Sequence, residues 1–170
     1  MKLPSYGALW ADTMIDLGRL SYGGAAGIIT SMALVNGFAA ASAPKSTIVT
    51  SLFIVAIADN LTDSLSMHIY QESERRNGRE ALRTTLANFA TRVATALSFI
   101  AAVLLLPTSV APWVCLGWGF ALLALLSALL AKARGVSAPS EIWKHCAVAV
   151  VVILVSRQLG VWITSGLMDR

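Results

Sequence analysis

The chain has 170 residues, of which 56% are hydrophobic and only 13% are charged. This balance excludes a disordered chain, and it lies well below the roughly 25% charge of soluble domains. Five spanning helices of about 20 residues each would take up most of the length, which excludes a large soluble domain. The net charge is +4, but the basic residues cluster in short loops beside apolar segments, which favours a membrane surface over nucleic acid as the partner.

The first predicted element is a short amphipathic helix within residues 1–19. Apolar and aromatic side chains recur on one face at helical spacing: Tyr6, Trp10, Met14 and Leu17. We expect this N-terminal segment to lie on the membrane surface, with Trp10 at the level of the lipid headgroups. A loosely held N-terminal arm is the alternative interpretation.

Residues 20–170 are predicted to form one transmembrane domain. Gly23 and Gly27 are four residues apart in the first apolar segment, a spacing that lets helices approach closely in lipid. Pro44 and Pro107 end the first and third segments. The fold class expected is therefore an all-α integral membrane protein with a bundle of five transmembrane helices, at about residues 20–43, 47–71, 88–106, 110–131 and 142–167.

The distribution of basic residues predicts how the bundle is oriented. The loop after the second segment carries four arginines, whereas the loops on the opposite side carry one lysine. Because basic loops stay in the cytoplasm, we expect a cytoplasmic N-terminus and, after five crossings, a C-terminus outside. The expected location is the cytoplasmic membrane of a bacterium.

Two carboxylates interrupt the second apolar segment. Asp59 and Asp63 are one helical turn apart, so they share a polar stripe with Ser66, Met67 and Tyr70. Each ionised Asp at a helix centre costs about 2.5–3.5 kcal/mol on insertion scales, so we expect a partner, a proton or a cation to compensate. The alternative is that both acids only form hydrogen bonds that hold the bundle together.

The residue types around this stripe favour a divalent transition metal. Carboxylates with the Met67 thioether suit Fe²⁺ or Mn²⁺ better than Mg²⁺, which prefers oxygen ligands alone. Glu72 and Glu74 follow on the loop side, where an ion would enter. His68 lies on the opposite face from Asp59 and shares that face with Ser64 and Glu72. The candidate metal ligands are Asp59, Asp63, Met67, Glu72, Glu74 and His68.

The remaining polar residues predict no catalytic centre. Arg92, at the start of the third segment, is expected to extend to the interface or to pair with Glu80. An intramembrane hydrolase would need a nucleophile and a base, and the chain has no Gly-x-Ser-x-Gly or His-Glu-x-x-His motif. We therefore expect neither an enzyme nor a permanently bound cofactor.

The landmarks of the five segments resemble those of the vacuolar iron transporter family. Its features recur in order along residues 19–166, and the chain is similar to a short, divergent bacterial-type member. The matching residues are Arg19-Leu-Ser-Tyr-Gly-Gly-Ala-Ala-Gly-Ile-Ile-Thr, Ser66-Met67, the Ala-Leu-Ser-Phe run at 96–99 before Pro107, and Gln158-Leu159-Gly160.

This resemblance implies a homodimer of five-helix protomers in the lipid bilayer. It also implies a cation path along the first two helices at the dimer interface, with export of Fe²⁺ or Mn²⁺ from the cytosol in exchange for protons. Met67 matches the methionine that lines this path, and Asp59 falls where an acid or amide is common.

The chain departs from the family pattern at two places. Ala26 stands where the family's first helix usually carries an aspartate on the ion path, and the acidic domain that some members carry after helix two is absent. These departures favour a second interpretation, in which the chain is a relative that scaffolds a partner or senses metal without transporting it.

Overall fold

The computed structural model describes residues 6–73 and 78–168; of these, the side chains of residues 6–22, 80, 81, 167 and 168 are outside the description. Nearly all described residues are helical, and these ranges contain no β-strand. The elements in chain order are α1 (Tyr6–Ala40), α2 (Lys45–Ile54), a π-helical turn (Val55–Asp59), α3 (Asn60–Ser73), α4 (Gly78–Leu105), α5 (Ala111–Arg134) and α6 (Ala138–Met168).

Five helical stretches in the described chain are long and apolar enough to cross a membrane. They span at least 18 residues each, with mean hydropathy from 1.3 to 2.3. This length and composition indicate a multi-pass membrane protein, as the sequence predicted. The stretches are Gly23–Ala40, Lys45–Ser73, Leu82–Leu105, Ala111–Arg134 and Ala138–Gly166.

Several helix boundaries differ from those predicted. α1 runs from Tyr6 without a break, so residues 6–19 continue the first helix instead of forming a separate one. The placement of this segment on a membrane surface depends on side chains outside the description and stays a prediction. α4 begins at Gly78, ten residues before the predicted start, because polar residues without a proline extend a helix beyond its apolar part.

The proline-marked ends agree with the sequence. α1 ends at Ala40, Ser42 adopts a left-handed backbone with φ of 56°, and Pro44 immediately precedes α2. α4 ends at Leu105, two residues before Pro107. Lys45 links the beginning of α2 to the end of α4, since its ammonium donates to the carbonyls of Leu104 at 3.1 Å and Leu106 at 2.8 Å.

α1 lies at the centre of the bundle and packs against α2, α4, α5 and α6. Glycines make its close approaches possible. A side chain at Gly23 would collide with Asn88, and one at Gly27 would be in van der Waals contact with Arg92. The predicted Gly23–Gly27 pair therefore does bring two helices together, and the partner is α4.

The apolar core occupies the part of the bundle away from the α3–α4 connection. Phe99, Met32 and Leu123 are fully buried there, from three different helices. Leu52 of α2 joins the same cluster. The core thus anchors the end of α4 that is remote from the two aspartates.

α3 has the opposite polarity to a soluble helix. Its buried face carries Asn60, Ser64 and Gln71, while Leu61 and Leu65 are more than half exposed. Within the described chain, α3 packs on α4 alone among the other helices. An apolar outer face over a polar inner face is the arrangement expected of a helix in lipid with polar groups turned inward.

Candidate functional site

The π-helical turn changes the register of the second crossing just before the two aspartates. Val55–Asp59 forms one wide turn, and α3 continues from Asn60. Such a turn inserts an additional residue into a helix, and turns of this kind are frequent at functional sites. The buried polar face of α3 is offset from the predicted stripe, since Ser66 and Tyr70 of that stripe are exposed.

One buried arginine contacts both aspartates. Arg92 of α4 is only 3% exposed, and its guanidinium forms an ion pair with Asp63 through Nη1. Its Nη2 lies 3.3 Å from Oδ2 of Asp59. Gly27 of α1 lies beside the Arg92 backbone on the other side. We call Asp59, Arg92 and Asp63 the charged triad.

Arg92 was expected at the interface or beside Glu80, and this expectation is wrong. The reason is geometric: α4 begins ten residues earlier than predicted, so Arg92 lies more than three turns inside the helix. At that depth the nearest counter-charges are on α3.

The charged triad carries one excess negative charge. Two carboxylates face a single guanidinium, and the Asp59 and Asp63 side chains remain 51% and 44% exposed. Asp59 and Asp63 lie on one stretch that is long and apolar enough to span a membrane, and Arg92 lies on the next such stretch. An unpaired charge at that depth is costly, so the exposed edge of the triad requires a proton, a cation or a second protein surface.

The other predicted ligands do not join the triad in one metal cluster. Nε2 of His68 lies 3.4 Å from Glu72 one turn further along α3, and Met67 is partly buried without a described polar contact. Glu74 lies outside the described residues. Among the described residues, no group of three or more His, Cys, Asp or Glu side chains is placed to hold a metal ion.

Arg92 is the site residue that the sequence argument placed wrongly. The signal was present, since a lone arginine follows the Gly78–Ala90 stretch and leads directly into an apolar run. A charge that deep in a spanning helix calls for an intramembrane partner, and Asp59 and Asp63 are acids at the same depth.

A cavity of about 390 Å³ lies elsewhere, between α1 and α6. It is lined mainly by apolar side chains and by Gly37 and Gly160, where the two helices cross closely. None of the predicted site residues borders it. The cavity and the charged triad are therefore separate features of the protomer.

No protein-family model, curated protein or solved structure matches the chain.

Proposed function

We propose that the protein is a membrane transporter that moves a divalent metal ion, Fe²⁺ or Mn²⁺, out of the cytosol in exchange for protons. The observation that supports this proposal is the excess negative charge of the charged triad, half exposed on a helix long enough to span a membrane. Such a charge binds a mobile cation or proton more readily than it faces lipid.

Charge balance makes a divalent ion the natural cargo of a dimer. Each protomer contributes two carboxylates and one guanidinium, which leaves one negative charge. Two protomers that meet across the exposed face of α3 would therefore present two negative charges. One divalent cation or two protons would neutralise them, so the exchange of the first for the second leaves the membrane interior uncharged.

The residues of the second crossing take separate roles in this proposal. Asp59 is the more exposed acid and the more distant from Arg92, so it is the one that binds and releases the cargo. Asp63 is held by Arg92 and fixes the position of the triad. Met67 adds a soft ligand, and Glu72 with His68 attracts cations at the loop end of α3.

A non-transporting scaffold or metal sensor is the second candidate function. Two observations favour it: Arg92 already partners both acids, and Ala26 replaces the family's aspartate on the first helix. This candidate predicts a folded membrane protein without metal-dependent flux.

Flux measurements in proteoliposomes separate the two functions. Wild type is expected to move Fe²⁺ or Mn²⁺ when a pH gradient is applied. D59N is expected to lower the initial rate of flux by about tenfold or more, which corresponds to an increase of about 1.4 kcal/mol or more in the activation free energy. D63N should also slow flux. E141Q is the matched control, because Glu141 pairs with Lys144 at the α5–α6 connection and lies outside the triad.

The same rates must be measured on variants that reconstitute equally and keep their helical circular dichroism. Absence of flux in the wild type, or unchanged flux in both D59N and D63N, would contradict the carboxylate mechanism. The first of these outcomes would favour the scaffold.

A further inference from the structure

The interface between α3 and α4 contains buried polar atoms that lack a hydrogen-bonding partner among the described residues. Asn88 is completely buried beside Gly23, where α4 also meets α1, and neither its amide nitrogen nor its amide oxygen is paired. Ser64 and Gln71 are 5% and 7% exposed, and each has an unpaired side-chain oxygen. The set comprises Ser64 Oγ, His68 Nδ1, Gln71 Oε1, Arg92 Nε and both amide atoms of Asn88.

These atoms lie in order along one antiparallel helix pair. Asp63 and Arg92 are level with each other because they form an ion pair. Eight residues further toward the connection, Gln71 of α3 is therefore level with Thr84 of α4, and both are buried. Asn88 lies midway. The unpaired atoms thus extend over about 12 Å, from near the α3–α4 connection to the charged triad.

Unpaired polar atoms in a protein interior call for a ligand that can both donate and accept hydrogen bonds. The set contains donors, such as Arg92 Nε, and acceptors, such as Gln71 Oε1, in alternation with groups that can do either. Buried water has this chemistry and typically makes about three hydrogen bonds to groups of this kind. Neither a metal ion nor an anion would suit donors and acceptors mixed along one line.

We propose that the α3–α4 interface, together with the adjoining contact of Asn88 with α1, holds a column of ordered water between Gln71 and Arg92. This water reaches Arg92, which is 3% exposed, whereas the Asp59 and Asp63 side chains are 51% and 44% exposed. The water column depends on these buried atoms alone and does not require the protein to transport an ion.

Radiolytic hydroxyl-radical labelling of the protein in nanodiscs tests for this water, because radicals formed from bound water modify the side chains beside it. Met67 and His68 are the reporters on α3, and fully buried Met32 in the apolar core is the internal reference. We expect both reporters to be labelled several-fold faster than Met32 in the wild type. N88L and S64V, which remove polar partners of the water, should each slow the labelling of Met67 and His68 several-fold.

S66V is the matched control, because Ser66 lies on the exposed side of α3 and donates to the Thr62 carbonyl of its own helix. It should leave both reporters unchanged. Equal labelling of Met67, His68 and Met32 in the wild type would show a dry interface and overturn the proposal. The proposal would also be overturned if Met67 and His68 were labelled as fast in S64V and N88L as in S66V, since the radicals would then come from bulk solvent. S64A provides the same test should N88L fail to fold.

Discussion

At the scale of single residues, Arg92 determines what the two aspartates can do. Its guanidinium forms an ion pair with Asp63 and lies 3.3 Å from Oδ2 of Asp59, so one arginine serves two acids. Asp59 is the more exposed of the two acids, and the transport proposal assigns the binding of the cargo to it.

Replacement of Arg92 tests whether the triad contributes to stability. R92Q leaves two acids one turn apart without a cation, so we expect the free energy of unfolding to fall by about 2 kcal/mol. This is less than the roughly 3–5 kcal/mol lost when a fully buried ion pair is broken, because both acids are half exposed. Thermal unfolding in detergent, followed by circular dichroism, measures the loss. R92Q/D59N/D63N should recover most of the stability, since it removes the unpaired charges as well.

K144Q is the control for this series, because the Lys144 side chain is 64% exposed and Glu141 keeps a second partner in Arg134, so the loss of this ion pair should cost little. An R92Q variant that unfolds at the wild-type temperature would show that the ion pairs do not hold α3 on α4.

At the scale of helices, close crossings depend on glycines that no side chain can replace. A side chain at Gly160 would overlap the carbonyl oxygen of Gly37, a backbone atom that cannot rotate away. α1 and α6 can therefore approach each other here only because both positions lack a side chain. This crossing also forms one wall of the cavity between the two helices.

G160A should destabilise the bundle by about 1–3 kcal/mol, the usual effect of overpacking a close contact. G117A is the matched control, because nothing lies within 4 Å of a side chain added at Gly117 of α5. There the alanine should be neutral or stabilising by up to about 1 kcal/mol through its higher helix propensity. Thermal unfolding of both variants checks the prediction, and equal melting temperatures would contradict the crossing.

The helices themselves could largely be predicted from the sequence, while the site could be predicted only in part. Apolar length and the positions of Pro44 and Pro107 are local properties, so five spanning stretches follow from them. The inner face of α3 is not local in this sense: the stripe counted from Asp59 assigns Ser66 and Tyr70 to it, whereas packing on α4 buries Asn60, Ser64 and Gln71. The pairing of Arg92 with Asp59 depends on how the second crossing and α4 are aligned with each other along their axes. The local pattern of either segment does not specify this alignment.

At the scale of the whole molecule, polarity divides the bundle into two parts. The core around Phe99 is apolar, whereas the interface near the α3–α4 connection is polar and includes Asn88 and Arg92. The outer surface of α3 meanwhile carries exposed Leu61, Leu65 and Ile69 beside the half-exposed acids of the charged triad. A surface with this composition either faces lipid at the cost of an exposed charge or meets another protein surface that carries a compensating ion.

A second copy of the chain on this surface is the arrangement that the transport proposal requires. In a C146A background, L65C is expected to form a disulfide-linked dimer on mild oxidation in membranes, because a two-fold axis along α3 would bring the two copies of residue 65 together. Fully buried Cys115 can remain. L125C is the control, since Leu125 on α5 is 58% exposed and Leu65 is 59% exposed, so the two positions differ in helix and not in exposure.

Cross-linking is read on non-reducing gels as a function of protein density in the bilayer, because a specific dimer persists on dilution with lipid whereas random collisions do not. Efficient cross-linking of L125C alone would place the interface on α5 and leave the triad facing lipid. In that case the excess charge could be neutralised only by a proton, since a divalent cation held by a single protomer would bring one positive charge too many into the membrane.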